Sequence, residues 1–225
     1  MHFRSILLPV TATSSRDFSE RFAQLLIGLF LFGAGMALMV RAQIGVAPWD
    51  VLAVGLVGST GLGFGAITVL IAALVLLLWI PLRQRVGIGT LLNAALVGPS
   101  ADITLIVVPA APSPWIGGPM FAAGLLLLAF ASGLYISADF GPGPRDGLMT
   151  GLVARTGRPV WLVRTLIEGT VLVIGFLLGG PVGAGTVLFA FGVGAPIGWF
   201  LALFTRIRTA RAQARASMRA EQPSQ

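Results

Sequence analysis

Apolar residues gather into six long runs, approximately residues 22–40, 63–81, 86–108, 115–137, 159–178 and 182–204. About 20 consecutive apolar residues let a helix cross the hydrocarbon of a bilayer, so each run predicts one transmembrane helix. Two shorter segments interrupt the series: GVAPWDVLAVGL (residues 45–56) and GPGPRDGLMTGL (residues 141–152). Each offers only about a dozen residues before glycine and polar residues return, which is short for a crossing. The pattern predicts an all-α, polytopic membrane bundle of about six transmembrane helices. It divides into residues 1–21, a first membrane repeat (22–108), a second (115–204) and a basic tail (205–225). The opening MHFRSILLPV has a basic start but too short an apolar stretch for a cleaved signal peptide, so the N-terminus is expected to remain. A helix is expected to begin between Ser14 and Glu20, with Asp17 and Glu20 suiting its first turn.

Composition sharpens this reading. Of 225 residues, 56% are hydrophobic and only 10% charged, against about 25% charged in an ordinary soluble domain. Cysteine is absent and the single histidine is His2, so disulfides, thiol catalysis, an interior histidine base and Cys/His metal sites have no residues to build them. No catalytic set suggests an enzyme, and no cofactor is indicated. All 15 basic residues are arginine, for a net charge of +7. They cluster at span ends rather than in a nucleic-acid-binding patch: Arg4, Arg16 and Arg21 before the first run, Arg83 and Arg85 after the second, Arg145, Arg155, Arg158 and Arg164 around the connection after the fourth, and Arg206, Arg208, Arg211, Arg215 and Arg219 after the sixth. Only Arg41 marks another connection. Six crossings place nearly every arginine on one side, which predicts cytoplasmic termini. Eight crossings would put Arg83 and Arg85 outside.

The two short segments share one offset. Pro48 and Asp50 recur as Pro144 and Asp146, 96 positions later, and the same shift pairs Gly28 with Gly124 and Gly61 with Gly157. It also pairs Val86, Gly87, Gly89, Thr90, Leu92, Ala94, Val97 and Gly98 with Val182, Gly183, Gly185, Thr186, Leu188, Ala190, Val193 and Gly194. A single register held over about 70 residues, with Gly, Pro, Asp and Thr among the matches, predicts an internal repeat. Three crossings per repeat invert the second half relative to the first, as in many secondary transporters. If the short segments crossed fully, the halves would be parallel instead.

Within each short segment, glycine permits a tight turn and Pro48 or Pro144 suits the first helical turn. Asp50 and Asp146 then fall near the third helical position, where a carboxylate can cap the helix or complement its positive end. The alternative is that both helices are re-entrant, their N-termini pointing into the protein, where substrates and coupling ions bind. Aspartates there can take a cation or carry protons, whereas helix N-termini with Arg145 can hold an anion. Trp49 and Arg145 occupy equivalent positions, so the half-sites differ; Trp49 can also be an interfacial anchor. Glu168 lies mid-span and is either functional or a structural partner of Arg164 at i and i+4. Asn93 and Asp102 sit in the third run, Asp102 near its outer end. Thr90 and Thr186 suit bonds to their own helix, and the Gly-x-Gly pairs before them suit close helix approach. The candidate site is therefore Pro48, Trp49, Asp50, Pro144, Arg145, Asp146, Glu168 and Asn93. Arginines at 208, 211, 215 and 219 share one helix face that can meet anionic lipid, and residues after Glu221 are expected to be disordered.

Gly45, Pro48, Trp49, Asp50 and Leu52, with Gly141, Gly143, Pro144, Asp146, Gly147, Leu148 and Met149, resemble the YczE/YyaS/YitT group of bacterial integral membrane proteins, the YczE branch in particular, from the first span to the sixth. The resemblance implies a bacterial inner-membrane protein with a possible role in transport, and it names no cargo. The expected function is that of a small-solute or ion permease with a central site between the two half-helices. Its partners would be the bilayer, an unidentified solute and a possible second copy of the chain, and not nucleic acid. The competing expectation is a scaffold or regulatory membrane protein that transports nothing and has a tightly packed centre.

Overall fold

A computed structural model describes residues 15–220, all of whose regular structure is helical. The expectations for His2, Arg4, Ser14 and the segment after Glu221 fall outside the described residues. The helices are α1 Ser15–Arg41, α2 Pro48–Thr60, α3 Phe64–Leu82, α4 Ile88–Val107, α5 Pro114–Ser137, α6 Pro144–Thr156, α7 Val160–Leu177, α8 Ala184–Gly192 and α9 Gly194–Ala220. Helices α1, α3, α4, α5 and α7 are long and apolar enough to cross a membrane, and α8 with α9, bent by 42°, passes the same test as a pair, giving six candidate spans if the pair is counted as one. The bend interrupts what the sequence reads as one straight run. The exterior is that of a protein solvated by lipid: Ile106, Trp115 and Phe191 are 84%, 89% and 88% exposed, which a water-soluble surface does not sustain across whole helices.

Local sequence explains the two short helices. Gly45 and Gly141 adopt positive φ, 102° and 115°, a region open to glycine and strained for other residues. The chain turns there, and Pro48 or Pro144 starts a helix whose first N–H needs no partner. Each helix runs 13 residues and stops at a left-handed C-cap, Gly61 or Gly157, the usual way a glycine ends a helix.

Helix directions follow from the contacts. Along α1, Gln24 donates to the Leu134 carbonyl (2.8 Å), Gly28 packs on Tyr135, and Gly35 packs on Leu128 and Gly124. One sequence rises as the other falls, so α1 and α5 are antiparallel. Lipid gives no hydrophobic push between helices, so they associate by close backbone approach over small residues; a Cβ on Gly35 would lie 2.9 Å from the Gly124 carbonyl oxygen. Gly33 packs on Val97 and Ser100 of α4, and Arg41 at the end of α1 hydrogen-bonds the Leu105 carbonyl near the end of α4. Helices α1 and α4 are therefore parallel. The start of α3 meets the far part of α4, where Gly65 N–H donates to Asp102 (2.8 Å). Asp102, expected near an outer interface, thus fastens the beginning of α3.

It follows that α2 is reached from, and returns to, one end of the bundle, where α1 ends and α3 begins. Helix α6 behaves likewise at the opposite end: it follows the end of α5, and Arg155 near its close hydrogen-bonds the Pro81 carbonyl at the end of α3. That second end also holds the start of α1 and Arg208 of α9, which donates to the Ser137 carbonyl (2.8 Å). Arg21 and Arg208 both flank the exposed Asp139 there, each at 3.6 Å.

Candidate functional site

The turns that open α2 and α6 are each held by the other half of the chain. The Ile44 carbonyl accepts the Gly185 N–H (2.8 Å), and the Phe140 carbonyl accepts the Gly89 N–H (2.9 Å). The two bonds are related by the 96-residue shift. Thr90 bonds its own helix as expected, accepting the N–H of the N-cap residue Gly87 (3.3 Å), and in addition donates its hydroxyl to the Pro142 carbonyl (2.7 Å). Thr186 accepts the Gly183 N–H (3.3 Å). The Gly-x-Gly pairs serve close approach: a Cβ on Gly87 would fall 2.4 Å from the Phe140 oxygen, and one on Gly183 would fall 2.5 Å from the Ile44 oxygen.

These clamps bring the N-termini of α2 and α6 together at the centre. The Arg145 guanidinium stacks on the Trp49 ring, 5.0 Å from its centroid, an attraction of about 0.5–2 kcal/mol depending on solvation. The same guanidinium lies 3.9 Å from an Asp50 oxygen. Trp49 is therefore an internal residue, 9% exposed, and not the interfacial anchor that its type suggests. Asp50 is 1% exposed and neither carboxylate oxygen has a hydrogen-bond partner. The capping reading finds no support in the geometry, since neither α2 nor α6 has a side-chain cap bond. A carboxylate buried this way is costly unless a nearby charge compensates, and here that charge is Arg145.

Beside the pair is a cavity of about 210 Å³. It is lined by Trp49, Asn93, Pro144, Arg145, Asp146 and Glu168 from the candidate list, and by Phe32, Thr68, Ser132, Tyr135, Arg164 and Phe189 among others. Asp50 and Pro48 lie behind this wall, both buried. Asp146 presents an exposed side chain and accepts a hydrogen bond from the Tyr135 hydroxyl (3.1 Å). Glu168 pairs with Arg164 at 2.9 Å, as their i and i+4 spacing suggests, and the pair faces the cavity rather than being sequestered. Among the described residues, no group of three or more His, Cys, Asp or Glu is placed to hold a metal ion. A second, apolar groove of about 560 Å³ runs outside the cavity between α2, α3, α6 and α7; Trp49 and Ile167 belong to the walls of both.

Sequence reasoning missed Tyr135, Ser132 and the aromatic walls Phe32 and Phe189. A signal existed for Tyr135: it is the chain's single tyrosine, and the 96-residue shift sets it against Met39, a residue unable to donate the hydrogen bond that Asp146 accepts.

Comparison with known proteins agrees with this organisation. The model of a family described as "Family of unknown function (DUF6198)" matches residues 19–202, from the first turns of α1 into α9. An "Uncharacterized protein" of Haemophilus influenzae is 39% identical over 184 residues, covering 81% of this chain and 84% of that one. "Uncharacterized membrane protein YczE" of Bacillus subtilis is 34% identical over 165 residues, covering 72% and 77%. "Uncharacterized protein YyaS" of the same organism is 29% identical over 168 residues, covering 72% and 83%. No solved structure matches the chain significantly. The shared region contains both short helices, the clamps between them and every residue that lines the cavity, and the chain is a member of the DUF6198 family, to which its resemblance to the YczE group corresponds.

Proposed function

We propose that this protein is a small-solute or ion permease of a bacterial inner membrane, built as an inverted repeat whose half-helices α2 and α6 enter from opposite faces and bind cargo where they meet. The observation that carries the reading is the meeting itself: two helix N-termini, approached from opposite ends of the bundle, converge on a cavity whose mainly apolar wall carries Arg145, Asp146, Asn93, Arg164 and Glu168. Broken helices of this kind are retained at membrane depth where they line a cavity, and they form the cargo sites of inverted-repeat transporters. Support for inversion comes from helix bounds that recur at one offset and from the antiparallel packing of the equivalent helices α1 and α5. Support for cytoplasmic termini comes from the arginines: Arg21, Arg83, Arg85, Arg155 and Arg208 gather at the end where α1 starts, and Arg41 stands at the other. The name of the Bacillus subtilis relative, a membrane protein, points the same way. No reaction chemistry is assigned to the site, and the partners are lipid and cargo.

The equivalent carboxylates differ in access: Asp50 is sealed and Asp146 is open to the cavity. In an alternating-access cycle this corresponds to a state open towards the arginine-rich side, with the opposite state exchanging the two environments. The scaffold alternative called for a packed centre, which the cavity disfavours. Uptake of candidate solutes into proteoliposomes tests the proposal with the parent protein, Asp50→Asn and Asp146→Asn. The expected result is flux in the parent reduced at least tenfold in each variant. Equal flux in all three removes these carboxylates from the mechanism.

A further inference from the structure

The central cavity presents both signs of charge, and its polar groups are under-used by the protein. Arg145 carries five N–H donors, stacks on Trp49 and stands 3.9 Å from Asp50, with no hydrogen bond to an acceptor among the described residues. Asp146 engages one oxygen with Tyr135 and leaves the other to the cavity. Among the described residues Asn93 has no hydrogen-bonded side-chain partner, and it lines the same space. These groups converge over Gly143: a Cβ there would lie 3.1 Å from the Tyr135 hydroxyl, 3.3 Å from an Asp146 oxygen and 3.4 Å from the Asn93 amide nitrogen. Any side chain at 143 would enter the cluster, so glycine keeps it open.

Charge balance narrows what can enter. Asp50, Asp146 and Glu168 face Arg145 and Arg164, leaving one negative charge in excess. The N-termini of α2 and α6 each add about half a positive charge, which brings the total close to zero. A bare cation or a bare anion would leave that balance disturbed within the helix bundle. A solute carrying both signs would not. Resting on the permease reading above, we propose that the cavity binds a small zwitterion of the amino-acid type, its anionic group on Arg145 and its ammonium group on Asp146, with Tyr135 and Asn93 as flanking polar contacts. The Arg164–Glu168 pair already satisfies itself at 2.9 Å and contributes a neutral rim.

Trp49 supplies the readout, because an anion that draws Arg145 away alters the indole's surroundings. The test uses full-length protein in nanodiscs with Trp79, Trp115, Trp161 and Trp199 replaced by phenylalanine, titrated with glycine, acetate and methylammonium. Calorimetry on the parent protein with the same three solutes guards against a fold weakened by those replacements. Glycine is expected to bind at least tenfold more tightly than either single-charge solute. In Arg145→Gln its affinity should fall to that of methylammonium, and in Asp146→Asn to that of acetate. Acetate or methylammonium equalling glycine, no saturable response to any of the three, or glycine affinity unchanged in both variants would overturn the proposal. Binding without flux would sink the permease reading and leave the zwitterion site standing; flux of another class of solute would do the reverse.

Discussion

Asp50 is where a capping role and a cargo role part most cleanly. A carboxylate that caps a helix contributes about 1 kcal/mol, lost on substitution. One buried without a hydrogen bond depends on a compensating charge, here Arg145 at 3.9 Å. Asp50→Asn leaves that guanidinium without its partner, so it is expected to lower the unfolding midpoint in detergent and to suppress flux; a lowered midpoint with full flux would leave Asp50 a structural role alone. Tyr135→Phe removes the one hydrogen bond that Asp146 receives and should cost about 1 kcal/mol, measurable in the same unfolding assay. Sequence alone places Asp50 and Asp146 at equivalent positions but is silent on their difference. That difference arises from tertiary neighbours, the Tyr135 hydroxyl at Asp146 and the Arg145 guanidinium near Asp50, which no local pattern encodes.

Among the elements, α1 and α5 form the central antiparallel pair, and their separation is set by Gly28, Gly35 and Gly124. Gly35→Leu would drive a side chain into the Gly124 backbone, and overpacking of this kind costs about 1–3 kcal/mol; thermal unfolding should show the loss, and an unchanged midpoint would mean that the pair has room to spare. Thr90→Val removes the hydroxyl that ties α4 to the turn before α6. Its expected cost is only about 0.6 kcal/mol, typical of interhelical hydrogen bonds in membranes. The long spans were legible because about 20 apolar residues have few other uses, and the starts of α2 and α6 were legible from Gly and Pro. The break at Val193 was missed although Gly192, Gly194 and Pro196 flank it: a proline at 196 disfavours a helix continuing through 192, but the apolar run passes over these residues without interruption, and the bend of 42° appears only in the structure. Trp49 misled for a related reason, since tryptophan favours interfaces on average, and the arginine that claims this one lies 96 residues away.

For the molecule as a whole, everything proposed depends on α2 and α6 entering from opposite faces of the bilayer. The exposed residues beyond their C-caps, Leu62 and Arg158, report on this directly, with Leu62 50% exposed. Because the chain has no cysteine of its own, a single Leu62→Cys or Arg158→Cys substitution gives a unique label site. A membrane-impermeant maleimide applied to intact spheroplasts is expected to label Leu62→Cys without permeabilisation and Arg158→Cys only after it. Labelling of both positions from the same face would contradict the inverted arrangement, and with it the convergence of two half-helices on a shared cargo site.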